Sequence, residues 1–203
     1  MIDGQAARMD HACRMRPDQQ PNQLRIIAGS WRGRKLYFAP VPGLRPTPNR
    51  VRETLFNWLQ PVIRGARCLD LYAGSGALGI EAASRGAATV VLVDRDSQVV
   101  RTLREQLQIL KAEQVQLVQA DVANWLSGTP QTFDIVFLDP PFGAGLLPAS
   151  IRQLEAGGWL APVAWIYVEG EQGLVPELPD NWELYRSKRA GRVGYHLLRR
   201  QAA

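Results

Sequence analysis

Two short stretches of this 203-residue chain combine residue types at spacings that suit chemistry on a bound molecule. The first is Asp139-Pro140-Pro141-Phe142, which follows the apolar run Phe133–Leu138. Neither proline carries an N–H, and a residue before proline is held out of the helical region, so the turn is stiff. It fixes two acceptors, the Asp139 carboxylate and the Pro140 carbonyl, while Phe142 adds a flat apolar face. Such a corner can stack a planar base and take both hydrogens of its exocyclic amine, aiming the nitrogen for in-line attack. Taken alone, the four residues equally fit a proline-rich turn with a core phenylalanine.

The second stretch is Leu69-Asp70-Leu71-Tyr72-Ala73-Gly74-Ser75-Gly76-Ala77-Leu78-Gly79, which leaves a strand and enters a helix. Gly74 and Gly76 permit a close backbone approach to a ligand at the carboxyl ends of strands. Three acids end successive strands: Asp70, Asp94 and Asp121. Asp94 lies 18 positions past Gly76, near the roughly 20-residue offset at which a carboxylate meets ribose hydroxyls. Asp70 inside the loop would repel a pyrophosphate, yet it suits a cofactor bearing an amino group and a sulfonium. S-adenosylmethionine is such a cofactor, and its methyl is what an oriented amine would attack. Asp70 and Asp121 also fit plain helix caps or turn residues.

These residues need a sheet to bring them together. From residue 66 apolar runs at Cys68–Tyr72, Thr89–Val93, Val115–Val118, Phe133–Leu138 and Trp165–Val168 alternate with helical segments at Gly76–Ser84, Ser97–Leu110, Asp121–Leu126 and Leu147–Leu154. Continuous apolar runs suit strands covered on both faces, and the alternation predicts a parallel, doubly wound sheet. Strands at Trp182–Lys188 and Val193–Arg199, joined by Arg189-Ala190-Gly191-Arg192, must form an antiparallel hairpin. Upstream, residues 24–38 read as a hairpin turning near Trp31-Arg32-Gly33 with its arginines facing solvent. Asn49 is expected to cap a helix with Val51, Leu55, Trp58 and Leu59 on its apolar face, ending before Pro61. Residues 1–22 show no apolar period and are expected to be a disordered extension.

Charge divides the same way. Residues 1–67 hold 12 basic and 4 acidic side chains, 68–185 hold 6 and 15, and 186–203 hold 6 and none. A basic surface beside an acidic body suits a polyanion, although a solvated charged face fits as well. Cys13 and Cys68 stand 55 positions apart with no Cys-x-x-Cys, so neither a zinc site nor a disulfide framework is expected. Cys68, inside an apolar strand, reads as core, and with no cysteine near the diproline turn the chain lacks the nucleophile that carbon-5 methylation of pyrimidines needs. His11 and His196 fall in the extension and in a strand, and no metal is expected. No apolar stretch approaches the ~18–20 residues of a membrane span, so a cytoplasmic protein is expected.

The loop Asp70–Gly79 with Asp139-Pro140-Pro141-Phe142 resembles Rossmann-like class I S-adenosylmethionine-dependent methyltransferases acting on exocyclic amines. The blocks Arg25–Leu36 and Gly43–Leu59 narrow the resemblance to the bacterial 16S ribosomal RNA guanine-N2 methyltransferase family (RsmD-like), over about residues 24–200. Ala28 stands where that family leads one to expect glycine, and Asn49 where aspartate is expected. The resemblance implies an α/β fold: a seven-stranded, mostly parallel sheet with an antiparallel C-terminal hairpin, spanning 63–203, preceded by an RNA-binding hairpin and helix at 23–62. It implies methylation of one guanine N2 in the 16S ribosomal RNA of the small ribosomal subunit, by a chain expected to act as a monomer.

By position, Asp70, Gly74 and Gly76 would hold the methionine part of the cofactor, Asp94 its ribose and Asp121 its adenine amine, with Ala73 and Asp139 also at the cofactor. Asp139, Pro140, Pro141 and Phe142 would hold the guanine. Arg25, Arg32, Arg34, Lys35, Arg45, Thr47, Arg50 and Arg52 would meet the RNA, with Trp31 as a stacking side chain. An adenine-N6 DNA enzyme, a protein-glutamine methyltransferase, a non-catalytic ribosome-assembly factor and a nicotinamide dehydrogenase remain as alternatives.

Overall fold

The structure is a computed structural model that describes residues 22–141, 143–171 and 177–202. The chain opens with the antiparallel pair β1 (Gln23–Arg25) and β2 (Lys35–Tyr37), followed by α1 (Asn49–Leu59). The body alternates β3 (Arg67–Leu71), α2 (Ala77–Ser84), β4 (Thr89–Asp94), α3 (Ser97–Leu110), β5 (Val115–Gln119), α4 (Val122–Leu126), β6 (Phe133–Leu138), α5 (Leu146–Ala156) and β7 (Leu160–Glu171). It closes on β8 (Trp182–Ala190) and β9 (Val193–Gln201).

The main sheet runs β5-β4-β3-β6-β7-β9-β8, parallel through β7 and antiparallel beyond it. The chain winds outward from β3 to β5 and then returns to β6 on the other side of β3. That reversal opens a crevice at the carboxyl ends of β3 and β6, where open α/β sheets bind ligands. The class I methyltransferase architecture expected from the sequence is therefore present.

Local chemistry accounts for the elements. Cys68 to Leu71 of β3 are all buried, as befits a strand with helices on both faces. In α3, Asp96 Oδ1 accepts from the backbone N–H of Gln98 at 2.8 Å and Val99 at 3.1 Å, a cap worth about 1 kcal/mol. Every residue of α2 is buried, because this helix lies between the sheet and the N-terminal segment rather than at the surface. Leu24, Ile26, Leu55 and Phe56 thus share one core with Cys68, Ile80, Leu103, Tyr167 and Leu197. The opposite face packs Leu69, Leu71, Ile166 and Leu198 against Val122 and Leu126 of α4 and Ile151 and Leu154 of α5.

Three local expectations are corrected. Pro48, not Asn49, precedes α1 as its cap, with no side-chain cap bond; Asn49 Oδ1 instead accepts from Arg52 Nη2 at 2.6 Å, a charge-assisted bond that outcompetes a neutral cap. The strand expected over Trp165–Val168 is part of a 12-residue strand whose first part passes through exposed Pro162 and Val163, outside the buried run that marked it. The final hairpin turns on Gly191 and Arg192 alone, with Gly191 at φ +60°. Cys68 is fully buried, and burial pushes its thiol up, as a core cysteine requires. Residues 1–21, with His11, Cys13 and most of the expected extension, lie outside the described residues. Among the described residues no helix is long and apolar enough to cross a membrane.

Candidate active site

The loop after β3 is built from left-handed residues: Tyr72 at φ +73°, Gly74 at +50° and Gly76 at +73°. Backbone N–H groups of Tyr72 and Ala73 both donate to the Val93 carbonyl, at 3.1 and 3.0 Å, and this bends the chain across the end of β4. A Cβ at Gly76 would come within 2.6 Å of Leu103 Cδ2, and the left-handed backbone there disfavours any residue that carries one. Tyr72 is a non-glycine in a strained region. Its hydroxyl is tied to Ser150 Oγ on α5 at 2.8 Å, which anchors the loop to the opposite layer.

All three acids of this half bind backbone N–H groups. Asp94 Oδ2 accepts from Gly74 at 2.8 Å and Oδ1 from Asp96 at 2.9 Å. Asp121 Oδ1 accepts from Ala123 and Asn124 at 3.0 and 3.3 Å, capping α4 from an exposed position. Asp70 Oδ2 accepts from Gly79 at 2.8 Å, and a Cβ on Gly79 would lie 3.0 Å from that oxygen. At 2 % exposure Asp70 sits beneath the loop and not on its wall. Its expected direct hold on a ligand is corrected accordingly: it fastens the turn from below. Burial raises its carboxyl to about 7, against the Gly79 bond, which lowers it, and with a smaller upward push from Asp94.

Across the switch point lies Asp139, the residue that follows β6. Thr47 Oγ1 donates to Asp139 Oδ2 at 3.5 Å. Leu138 is in register with Val168, so Asp139 and Glu169 stand side by side at the carboxyl ends of adjacent strands. Glu169 is buried, and its Oε1 accepts from the Tyr167 hydroxyl at 2.8 Å. Burial, then the charge of Glu169, then that of Asp70 hold the Asp139 carboxyl well above the usual range, while the Thr47 bond opposes them. Burial raises Glu169 as well. Each carboxyl therefore disfavours ionisation of the other. Pro140 is buried and Pro141 exposed; Phe142 lies outside the described residues.

Arg25, Arg32, Arg34, Lys35, Arg45 and Arg50 are exposed, as expected. A cleft of about 360 Å³ opens among Arg25, Lys35, Thr47 and Asn49. Through Thr47 it adjoins the Asp139 corner. Trp31 is half-buried against the core, and only part of its ring is free to stack. Arg52 is the clear correction. It is fully buried, donates from Nη2 to the Arg25 carbonyl at 2.9 Å and lies 3.5 Å from Glu81 Oε2. Glu81 also accepts from the backbone N–H of Ile27 and Ala28, at 2.9 and 3.0 Å, and from Arg85 Nε at 2.7 Å. A buried cation is retained only beside such a partner, so Arg52 staples the N-terminal segment to α2 and cannot meet RNA.

Sequence reasoning passed over Glu169 and Glu81. Glu169 carried the signal used for the other acids, a carboxylate at the carboxyl end of a buried strand. Glu81 carried none, because a glutamate in an Ala-rich helix reads as solvated.

The family described as conserved hypothetical protein 95 matches residues 24–199, from β1 to β9. The chain belongs to this family. The conserved hypothetical protein 95 match encloses both the glycine loop and the Asp139 corner. The chain is similar to ribosomal RNA small subunit methyltransferase D of Escherichia coli (strain K12), with 53% identity over 183 residues covering 89% of this chain and 91% of that protein. It is 46% identical to the Haemophilus influenzae protein of the same name, over 90% of this chain and 98% of that one. The solved structure of an Escherichia coli protein, yhhF, superposes with a TM-score of 0.82 at 53% identity, covering 89% of this chain and 99% of that chain.

Proposed function

We propose that this protein transfers a methyl group from S-adenosylmethionine to the exocyclic N2 amine of one guanine in the 16S ribosomal RNA of the small subunit. The observation that carries the reading is the placement of the Asp139 carboxyl across the sheet's switch point from the Tyr72–Gly76 loop. The high identity to a small-subunit ribosomal RNA methyltransferase supports the choice of polymer.

The residues present fit the cofactor. Loop 70–79 contains carboxylate and backbone groups but no Lys or Arg, a donor set suited to a sulfonium and an ammonium and unsuited to a pyrophosphate. Asp94, at the edge of the loop, would take ribose hydroxyls on lone pairs its two backbone bonds leave open. Asp121 Oδ2, uncommitted among the described residues, would accept from an adenine amine. Asp70 shapes the turn through Gly79. When bound, the cofactor supplies an electrophilic methyl on positively charged sulfur.

The rest is done by the chain. Asp139 and the Pro140 carbonyl accept the two amine hydrogens, which raises electron density on nitrogen and fixes its lone pair toward the donor. Thr47 and Glu169 hold Asp139 in place. The proton shed by the nitrogen has the Asp139–Glu169 pair as its nearest acceptor. The exposed cations at 25–50 bind the RNA backbone around the swung-out base.

The test incubates the protein and labelled cofactor with small ribosomal subunits that lack the modification, with duplex DNA and with free protein substrates. Label confined to guanine N2 of 16S RNA is expected; label in DNA or protein would reject the assignment.

A further inference from the structure

The basic tail of the sequence, 186–203, plays no part in the site described so far, yet the sheet brings it into line with the catalytic corner. Asp139 neighbours Glu169 across β6 and β7; Glu169 is in register with Tyr195 on β9, and Tyr195 with Lys188 on β8. Residues directly opposite one another in a sheet share a face, so these four side chains form one row across four strands. At about 4.8 Å per strand, Lys188 lies some 14–15 Å from Asp139 along that row. At the outer end of the row β8 is exposed from Glu183 to Arg189.

Its cations are held ready on aromatic rings. Lys188 Nζ lies 5.9 Å from the centre of the Trp58 ring, which itself stacks on Tyr195 at 5.7 Å. The Arg186 guanidinium lies 4.7 Å from the centre of the Tyr185 ring, and Tyr185 meets Trp165 edge-on at 4.8 Å. Among the described residues neither Lys188 nor Arg186 has an acidic partner, whereas Arg199, nearby, is paired with Glu183 at 3.5 Å. Tyr185 keeps 44% of its surface exposed. Unpaired cations beside a half-open aromatic ring are the components of a single-stranded nucleic-acid track: phosphates meet the charges and a base stacks on the ring.

We infer that the exposed face of β8, centred on Arg186, Lys188 and Tyr185, is a second RNA-binding surface that guides the strand flanking the methylated base away from the Asp139 corner. This deepens the proposed function and rests on it for the identity of the RNA. The surface lies on the same face of the sheet as α1, so the strand would be gripped on two sides of the reacting nucleotide, by the N-terminal cations and by β8.

The experiment compares wild type with R186E/K188E, Y185A and a control reversal, R152E, on the exposed side of α5 in the opposite layer. It measures methyl transfer to unmodified small subunits, binding of those subunits and of naked 16S RNA, and binding of S-adenosylhomocysteine. The expected result for R186E/K188E is a 10- to 100-fold fall in kcat/KM carried by KM. The salt dependence of subunit binding should flatten by about two counterions, with S-adenosylhomocysteine affinity within twofold of wild type. Y185A should lose about five- to tenfold through stacking, and R152E little.

Wild-type subunit binding and salt slope in the double variant would overturn the inference, as would an equal loss in R152E. Loss of subunit binding with naked 16S RNA bound normally would also overturn it, assigning the face to a ribosomal protein instead. A wild-type protein that binds subunits through this face but transfers no methyl would uphold the surface and defeat the enzymatic reading.

Discussion

The two halves of the sheet on either side of the switch point use the same side chain for opposite ends. On the β3–β5 side, Asp70, Asp94 and Asp121 are occupied by backbone N–H groups of Gly79, Gly74, Asp96, Ala123 and Asn124. On the β6–β7 side, among the described residues, Asp139 and Glu169 are met by the hydroxyls of Thr47 and Tyr167 and stand beside one another. The first arrangement spends carboxylates on making a loop rigid before a ligand arrives. The second leaves acceptor capacity in a buried place, which the proposed function assigns to an incoming amine and its proton. A carboxylate bound by backbone shapes the loop; one held by hydroxyls beside a second acid is, on the proposed function, the one that meets the substrate.

The sharpest way to break that contrast is Asp139→Ala. Loss of an acceptor aimed at the reacting amine is expected to cost on the order of 10³ in kcat/KM, with S-adenosylhomocysteine affinity within about twofold by titration calorimetry. Equal losses of rate and cofactor affinity would place Asp139 with the loop-shaping acids.

Asp70 probes the other side of the comparison through stability. Its folded pKa of about 7 is above the ordinary carboxyl value of 3.8, so its contribution is fully present below pH 4 and is lost as pH rises through 7. The net shift would make the folded protein up to about 4 kcal/mol less stable at pH 8 than at pH 4 through this one group, at about 1.36 kcal/mol per unit. Asp70→Asn keeps an acceptor for the Gly79 N–H and cannot ionise. Denaturant unfolding of the variant between pH 4 and pH 8 should show a flatter stability profile than wild type; parallel profiles would mean that Asp70 stays ionised throughout.

The contrast also explains what was legible in the sequence. Strand and helix positions were readable because β3, β4 and β6 are continuous apolar runs and the crossovers demand helices. Placing Asp70, Asp94 and Asp139 at the carboxyl ends followed from that alone. What each acid does there was not readable, since the choice between a ligand and the Gly79 N–H depends on how the loop folds back over β3. Arg52 shows the same limit from the other direction. Within Asn49-Arg50-Val51-Arg52 nothing marks one arginine for solvent and the other for the core; the helical phase of α1 relative to Glu81 decides it. Glu169 ends a buried apolar run like the other acids, but what it meets depends on the pairing of β7 with β6, which sets it beside Asp139.

Glu169→Gln sharpens the comparison by removing charge while keeping shape, since a glutamine Oε1 can still accept from Tyr167. Without a second negative charge beside it, the Asp139 carboxyl falls toward the ordinary range, because Glu169 is the second-largest cause of its elevation. The acid limb of the pH–rate profile should move to lower pH, and the plateau should drop on the order of tenfold as one proton acceptor is lost. An unchanged limb with a lowered plateau would reduce Glu169 to packing.

The smallest effect belongs to Asp121, where the two uses of a carboxylate meet in one residue. Oδ1 caps α4 through Ala123 and Asn124, and Oδ2 is the atom proposed for the adenine amine. Asp121→Ala removes both, at about 1 kcal/mol of stability for the lost cap. Asp121→Asn retains a capping oxygen, but the other position becomes an NH2 that donates where the adenine amine also donates. If Asp121 only caps, asparagine should restore stability and leave cofactor affinity as in wild type. If its second oxygen meets the adenine, asparagine should restore stability but not affinity, which should remain about five- to tenfold weaker, a cost of ~1–1.4 kcal/mol for one mismatched hydrogen bond. Paired measurements of thermal midpoint and S-adenosylhomocysteine affinity on these two variants separate the shaping oxygen from the binding one, within a single side chain.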